Sequence, residues 1–420
     1  ELRQFESALH SNRNIERSKI RLQRLKFVED VKVTKTKVSN SSDLVDVTFA
    51  IKERKSGEFK VSAGWSDTDG AIFDINLQQD NFLGYGKNVG LKASKSSVNT
   101  ALQFLLTDPY HTFDGVGKTL SATISSTDVS ATSTASYLSD TFAGGVMYDM
   151  PISETATFGI GYDISLTDFT TTIGSPIIVT HHIADHGNTA LGIKIKGNYT
   201  TDTRNRTIFA ETGVRSQFNG DIFLAATGAS HISLTHRSES NRGYILKTFG
   251  FDWRTVFQLK TMVGIGAGLG SATSLPFYNK YFAGGNGTVR GYKGSSLGPL
   301  TYNAAAAEFT CAAKAVPGKF VKCDAVGGDF LTTAQFNWVF TPPPFLGEDT
   351  RALRTTLFFD VGNVFEKVNN FNYNQLRGSY GIEFNILTPI GGVSVGFVNA
   401  INDREGDDLQ PVIFQLGGAF

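Results

Sequence analysis

The segment "ATFGIGYDISLTDF", residues 156–169, decides the fold class of this chain. Large apolar side chains occupy every second position, and small or polar residues occupy the positions between them. The apolar set is Phe158, Ile160, Tyr162, Ile164 and Leu166, and the other set is Gly159, Gly161, Asp163, Ser165 and Thr167. Because successive side chains of a strand point to opposite faces, this pattern predicts a β-strand with one apolar face.

The same alternation recurs along most of the chain, for example in "MVGIGAGLGS" at 262–271 and "SYGIEFNI" at 379–386. A soluble β-sandwich would also alternate, but three features favour a transmembrane barrel. Aromatic residues lie near the strand ends, as membrane interfaces require. The repetition is too long for one ordinary sandwich. The last residue, Phe420, also belongs to the apolar face of a strand.

The region from residue 57 to 420 is predicted to contain sixteen strands. Membrane strands of about 9–11 residues, with their turns, need about 20–25 residues each, which allows roughly 14–18 strands. Closure favours an even number, and we count sixteen alternating segments. We therefore predict a membrane β-barrel of sixteen antiparallel strands with one long insertion at about 276–326.

Residues 1–56 follow a different pattern. A polar, helix-like segment at 1–11 precedes a second helix that Asn14 could cap, with Ile15, Leu22 and Leu25 on one face. Two alternating segments, "VKVTKTKV" and "LVDVTFAIKE", then predict two strands. This region is thus expected to form a small α+β unit of two helices and two strands.

Charge and motifs argue against several function classes. The chain has 39 basic and 39 acidic residues, which gives no electrostatic reason to expect nucleic acid as a partner. No G-x-S-x-G, H-E-x-x-H or P-loop motif occurs, so we expect neither an enzyme nor a cofactor. The histidines of "VTHHIADHG" at 179–187 are predicted to lie in a polar loop rather than to bind a metal.

The two cysteines, Cys311 and Cys323, lie within the insertion, in "CAAKAVPGKFVKC". Two cysteines this close together favour a disulfide in an oxidising compartment, and two unrelated thiols are the alternative. A metal site is not expected, because no histidine lies near either cysteine.

Several separate motifs resemble, in order and spacing, those of the BamA family of bacterial outer-membrane protein insertases. Among them are "TVRGYKGSSLGP" at 288–299, "DAVGG" at 324–328, "FTPPPFLGEDTRALRTTLFFDVGNVF" at 340–365 and "LTPIGGVSVGF" at 387–397. The resemblance covers essentially the whole chain. It implies that residues 1–56 are the last POTRA domain, with its first strand missing, and that residues 57–420 are the barrel.

The resemblance also identifies the insertion as the sixth extracellular loop, which folds back into the barrel lumen. Val289, Arg290, Gly291 and Tyr292 occupy the place of the family's V-R-G-[F/Y] motif. In the family, the arginine of this motif contacts acidic groups on the inner wall of the barrel. We therefore expect the tip of this loop to be held inside the lumen by Arg290.

Two inward-facing residues are the expected partners of Arg290. Alternation in "LFFDVGNVF" at 357–365 turns Asp360 toward the lumen, and Gln335 faces the lumen in the same way. The family has an acidic residue where this chain has Gln335. An amide can hydrogen-bond a guanidinium but adds no second negative charge. We therefore expect an anchor with one acidic partner instead of two.

The first strand, at 57–67, and the last, at 410–420, are predicted to pair and close the barrel. Glycines in the last strand lower its stability, and a weak seam exposes backbone groups that can template another strand. The resemblance implies a lateral gate that works in this way. The expected gate residues are Phe59, Val61, Phe414, Leu416, Gly417, Gly418 and Phe420.

The resemblance implies an insertase of a Gram-negative outer membrane, with its POTRA domain in the periplasm. The expected partners are nascent outer-membrane proteins, accessory lipoproteins of the assembly complex, periplasmic chaperones and outer-membrane lipid. The alternatives are a two-partner-secretion or TamA-like translocation pore of the same superfamily. A plain porin or adhesin is disfavoured, because a porin would lack the α+β unit.

Overall fold

A computed structural model gives the fold of the chain. It describes residues 2–418 except 24, 26, 40, 42, 55, 113, 130–136, 173–174, 249–250, 302–323, 342–352, 389–390 and 405–406. Within these residues, the strands form a two-stranded sheet near the N terminus, a closed barrel and a short two-stranded ribbon. None of the helices in this part of the chain is long and apolar enough to cross a membrane.

The N-terminal unit contains helix α1 (Asn12–Gln23) and the antiparallel strands β1 (Val28–Lys37) and β2 (Val45–Glu53). The face of α1 that carries Ile15, Ser18 and Leu22 is buried. The Ser18 hydroxyl donates to the Asn14 carbonyl oxygen at 2.7 Å, which satisfies this polar group away from water. The predicted face is therefore observed at Ile15 and Leu22, whereas Leu25 lies beyond the end of the helix. The predicted cap is wrong, because Asn14 lies inside the helix and its N–H donates to Ser11 Oγ at 3.3 Å.

The first predicted helix, at 1–11, is wrong. The described residues 2–11 form turns and bends, and Ser7 has a positive φ of 59°. The Gln4 side chain accepts a hydrogen bond from Ser11 N at 3.0 Å and donates one to Leu9 O at 3.1 Å. These bonds satisfy backbone groups without helical pairing, so a polar segment of helix-like composition forms a compact turn instead.

The barrel contains sixteen antiparallel strands in a closed order. They are β3 (Gly57–Ser66), β4 (Gly70–Phe82), β5 (Lys87–Lys95), β6 (Asn99–Asp108), β7 (Gly117–Asp128), β8 (Tyr137–Pro151), β9 (Ala156–Thr171), β10 (Thr189–Asp202), β11 (Gly213–Thr227), β12 (His231–Thr248), β13 (Phe251–Gly268), β16 (Phe330–Phe340), β17 (Leu353–Phe365), β18 (Arg377–Thr388), β19 (Gly391–Ile401) and β20 (Val412–Gly418). The predicted fold class and strand number are confirmed.

Two further elements lie in the loops of the barrel. Helix α2 (Ile177–His186) lies between β9 and β10. Strands β14 (Leu300–Thr301) and β15 (Asp324–Ala325) pair in the long segment between β13 and β16. Because strands alternate in direction, these two segments emerge from the same end of the barrel.

The outer wall of the barrel is apolar and exposed, whereas the inner wall is polar. Ile164 and Ile193 are paired across β9 and β10 and are 55% and 46% exposed. Asp163, next to Ile164 on β9, faces inward and forms an ion pair with Lys196 of β10. Repeated over the strands, this arrangement produces an apolar belt that water would solvate poorly and acyl chains solvate well.

The belt predicts that a charge on the outer wall is far more costly than the same charge in the lumen. Ile193→Arg is expected to reduce the free energy of unfolding by about 2–4 kcal/mol, because it places a guanidinium in hydrocarbon. The control is Ser165→Arg, at a lumen-facing position of the neighbouring strand. Urea unfolding in phospholipid vesicles measures both variants, and equal losses would contradict the assignment of faces.

Candidate functional site: the loop anchor and the barrel seam

The long loop runs from residue 269 to 329, between the end of β13 and the start of β16. It is longer than the predicted 276–326, because it begins directly after the glycine-rich end of β13. Bridges within the loop pair Tyr281 with Gly328 and Ala283 with Leu297, and a third bridge joins Tyr292 to Leu409 outside the loop. The predicted disulfide between Cys311 and Cys323 lies outside the described residues.

Arg290 lies at the centre of a buried cluster of polar side chains inside the barrel. Its side chain donates from Nε and Nη2 to the two carboxylate oxygens of Asp360, each at 2.7 Å. The backbone N–H of Arg290 also donates to Asp360 Oδ2, at 3.0 Å. Asp360 is completely buried and Arg290 is 4% exposed. This bidentate geometry is the strongest form of a guanidinium–carboxylate pair.

A second carboxylate completes the anchor, and it comes from Glu383 on β18. Arg290 Nη1 donates to Glu383 Oε2 at 2.6 Å, and Arg290 Nη2 donates to Asn337 Oδ1 at 2.6 Å. The Ser394 hydroxyl donates to the other Glu383 oxygen at 2.5 Å. All three nitrogens of the buried guanidinium therefore donate to an acceptor. These bonds compensate for the loss of its hydration.

The expectation of a single acidic partner is therefore wrong, and so is the expected role of Gln335. The Gln335 amide donates to Asp360 Oδ2 at 3.4 Å and to the Asn286 carbonyl oxygen at 3.2 Å. It thus contacts the carboxylate and the loop backbone, whereas the described bonds of the guanidinium go to other residues. An NH₂ group is a donor, and the carboxylate oxygens of Asp360 are the acceptors that it finds.

The rest of the motif packs around this ion pair. Val289 and Tyr292 are fully buried in an apolar cluster with Leu297, Leu331 and Val364. The Tyr292 hydroxyl donates to backbone carbonyl oxygens of Gly378 at 3.2 Å and Ile401 at 3.1 Å. The apolar packing and the two hydrogen bonds attach the loop to the wall on either side of Arg290.

Gly291 allows the loop to lie this close to the wall. Its φ is +86°, and a Cβ placed on it would lie 2.6 Å from Val398 Cγ1. Both the dihedral angle and the lack of space exclude a larger side chain. On the other side of Arg290, the Phe358 ring centroid lies 3.7 Å from the guanidinium carbon, within the range of a cation–π contact.

The seam between β20 and β3 is the weakest junction of the barrel. Within the described residues, these strands pair only through Gln415 with Ser66 and Leu416 with Trp65. On its other side, β3 pairs with β4 along its whole length, from Gly57 to Ser66. The segment from Gly57 to Gly64 therefore has no described barrel partner on its seam side.

Glycines on both strands shape the seam. A Cβ on Gly64 would lie 2.5 Å from Leu416 O, and a Cβ on Gly417 would lie 2.7 Å from Ala63 O. Gly417 has a φ of +77°, which turns β20 out of regular strand geometry. The two backbones are close here, yet the ladder ends, because Gly417 no longer presents its groups in register.

The other predicted gate residues fall on both sides of the seam. Phe59 and Val61 are 67% and 63% exposed, on the part of β3 that has no described partner on its seam side. Phe414 and Leu416 lie on β20, where Asp67 Oδ2 accepts a hydrogen bond from Phe414 N at 2.8 Å. Gly418 ends β20, and Phe420 lies outside the described residues.

The histidine segment is a helix, and the predicted polar loop is wrong. Pro176 precedes α2 and Gly187, with a φ of 83°, follows it; both are helix boundary signals that the sequence contains. In the helix, His182 and His186 share a face and stack at 4.7 Å. This face packs on Phe277 of the long loop, in an apolar cluster with Tyr137, Phe169, Val179 and Ala190.

Comparisons with known proteins agree with the barrel fold. A family model described as the Omp85 superfamily domain matches residues 81–420. The chain belongs to the Omp85 superfamily. The outer membrane protein assembly factor BamA of Neisseria meningitidis serogroup B is 27% identical over 458 aligned positions, which cover all of this chain and 54% of that protein. The chain therefore spans about half the length of this relative.

Two solved structures share the superfamily fold of this chain. The crystal structure of BamA from Haemophilus ducreyi lacking POTRA domains 1–3 has a TM-score of 0.83 at 23% identity and covers 99% of this chain and 80% of its own. CdiB from Acinetobacter baumannii has a TM-score of 0.57 at 10% identity and covers 97% of this chain and 68% of its own. At these identities both likenesses concern the fold alone.

The anchor predicts a large loss of stability when its cation is removed. Arg290→Ala leaves Asp360 and Glu383 buried without their cation, and we expect the free energy of unfolding to fall by about 3–5 kcal/mol. Arg290→Lys retains the charge but not the bidentate geometry, so its loss should be smaller. Thermal unfolding and protease resistance of the loop measure the effect, and parent-like values for Arg290→Ala would disprove the anchor.

The α2 cluster predicts a response to acid. Burial, and secondarily the nearby His186, lower the pKa of His182 to about 4, whereas an unfolded histidine has a pKa near 6.5. Because the folded form binds its proton less readily, the packing of α2 should be fully stable above about pH 6.5 and should weaken as the pH falls toward 4. Asp185 and Tyr278 are further titratable groups near this ring, and His231 packs against Tyr278.

Hydrogen exchange of α2, corrected for the intrinsic rate at each pH, measures this response. His182→Gln should remove most of the acid-induced increase in exchange. His181→Gln, at an exposed position of the same helix, is the matched control and should retain that increase. An increase of the same size in both variants would assign the effect to another group.

Proposed function

We propose that this chain folds β-barrel proteins into the outer membrane by adding their strands to the edge of β3 at a lateral gate. The observation that carries the proposal is the seam, where β3 pairs with β20 only at Ser66 and Trp65 in the described residues. Membership of the Omp85 superfamily and the likeness to outer membrane protein assembly factors support it.

The chemistry of the gate is backbone hydrogen bonding. If β20 moves away, the N–H and C=O groups of β3 from Gly57 onward can pair with an incoming strand, as the edge of any sheet can. Each ladder bond contributes about 0.5–1.5 kcal/mol, so the loss of two residue pairs is a small cost compared with a new strand along the whole edge. The proposed reaction needs no ATP or cofactor and is not enzymatic, because substrate folding supplies its free energy.

The described part of the last strand at the seam is short. The described part of β20 spans seven residues, whereas β12 and β13 span eighteen each. A membrane strand usually needs about 9–11 residues to cross the hydrocarbon. We propose that lipid beside the seam thins locally, which lowers the barrier to insertion of another barrel.

The N-terminal unit is proposed to be the last POTRA domain, on the periplasmic side of the barrel. Its described strands β1 and β2 pair with each other, and an edge of this sheet that the missing first strand does not cover can accept an extended peptide. The likeness of this chain to the structure of a BamA lacking POTRA domains 1–3 supports this assignment. Nascent outer-membrane proteins, periplasmic chaperones and accessory lipoproteins are the proposed partners of the whole protein.

A disulfide across the seam tests the gate. Trp65→Cys and Leu416→Cys place two cysteines at directly paired positions, where Cα atoms of antiparallel strands lie about 4.5–5.5 Å apart and a disulfide can form. Cys311 and Cys323 are replaced by serine, so that no other pairing competes. We expect the oxidised protein to lose insertion of a substrate barrel into vesicles, and reduction to restore it.

The control disulfide joins Ala63→Cys to Phe73→Cys, a directly paired position on the other side of β3. It ties the same strand without closing the gate and should leave insertion near the parent level. Undiminished insertion by the seam-locked protein would disprove the gate. Steady ion conductance across planar bilayers, together with that result, would favour the translocation-pore alternative.

A further inference from the structure

The tip of the long loop reaches across the lumen to the strand that closes the barrel. Asn286 lies four residues before Arg290, and its side-chain amide donates to Gln415 Oε1 at 2.9 Å. Gln415 is one of the two described residues of β20 that pair with β3. Thus a residue next to the buried anchor contacts the junction where the barrel is weakest.

Gln335 joins this contact to the anchor. Its amide donates to Asp360, the carboxylate that holds Arg290, and to the backbone oxygen of Asn286. A continuous chain of hydrogen bonds therefore leads from Asp360 through Gln335 and Asn286 to Gln415. Gln335 is 5% exposed, so its two hydrogen bonds have little competition from water.

We infer that Gln335 is a positioning residue of the gate, which holds the loop tip against β20 and so keeps the seam closed at rest. The inference rests on the proposed function only where it names the seam as a gate. Glutamine suits this role because its NH₂ group can donate to both oxygens, Asp360 Oδ2 and Asn286 O. A carboxylate at this position could donate to neither and would repel Asp360.

The surroundings of the contact favour a seam that can open. A cavity of about 40 Å³ lies between the loop tip and the seam, lined in part by Thr68, Gly285, Ile413 and Gln415. The seam side of the loop tip is therefore incompletely packed. Backbone bonds from Gln410 N to Gly291 O at 2.8 Å and from Lys293 N to Asp408 O at 2.9 Å join the loop to the segment before β20, and the bond from Asn286 reaches a residue of β20 that pairs with β3. A hydrogen bond at a partly solvated site is individually weak, which suits a reversible latch.

The test compares hydrogen exchange of the seam in the whole chain, reconstituted in phosphatidylethanolamine and phosphatidylglycerol vesicles without any substrate. Gln335→Glu replaces the donor with a nearly isosteric acceptor that faces Lys260 and Asp360 in the pairing register. Gln335→Met removes both bonds without adding charge, and Asn286→Ala removes the last link. We expect exchange in residues 412–418 to rise by roughly two- to tenfold in all three variants.

Two readouts separate a latch from general destabilisation. In Gln335→Met and Asn286→Ala, exchange of residues 289–292 should stay at the parent level, because the bonds from Arg290 to Asp360, Glu383 and Asn337 do not involve the side chains that are changed. The double variant Gln335→Met with Asn286→Ala should exchange no faster than the faster single variant, because the two residues act in series. Gln217→Glu, at another lumen-facing glutamine on β11, is the matched control and should change nothing at the seam.

Unchanged exchange at the seam in the Gln335 variants would overturn the inference. So would an increase confined to Gln335→Glu, which would make the effect one of charge, or additive effects in the double variant. Because no substrate is present, a failure of insertion does not bear on this result. If the variants showed faster seam exchange but normal insertion, the role of Gln335 at the seam would be supported, and the proposal that the seam is a gate for insertion would be weakened.

Discussion

The need of a buried guanidinium for carboxylates organises this structure. Arg290 cannot be deprotonated to escape burial, so the wall must supply negative charge and acceptors at fixed positions. Asp360, Glu383 and Asn337 come from three different strands, β17, β18 and β16. The loop can therefore dock only when these strands are in register. The loop conformation, the lumen contents and the register of this part of the wall thus depend on one another.

Alternation in the sequence was enough to find one part of this anchor and not the rest. The alternation predicts that Asp360 faces the lumen, because side chains of a strand alternate between its two faces. In the structure, Asp360 is buried inside the barrel. The same rule puts Glu383 on the polar side of "SYGIEFNI", so the signal for the second carboxylate was present. The position of Glu383 along the barrel axis cannot be predicted in the same way. It depends on the stagger between strands, which is set by loop lengths and bulges that one sequence does not reveal.

The errors elsewhere have similar physical causes. Composition made the segment with His182 and His186 look like a polar loop, but an apolar surface on the long loop allows it to fold as a helix and bury one face. Composition likewise suggested a helix at 1–11, where side-chain bonds of Gln4 satisfy the backbone in another way. The resemblance presents Gln335 as a substitute for an acidic residue that adds no negative charge. Its donor group gains significance only when the position of Asn286 is known.

The strongest and weakest interactions of the barrel are close together in space but lie on different strands. The buried ion pair and its apolar cluster attach the loop to β16, β17 and β18, whereas the seam depends on short backbone contacts beside Gly64 and Gly417. Such a separation means that the seam can lose its two described residue pairs while the packed side of the barrel keeps its own register. A barrel whose stability was spread evenly around its wall could not open one junction without loosening the others. The bond from Asn286 to Gln415 therefore has a clear physical role: it joins a rigid region to a labile one by a contact weak enough to break.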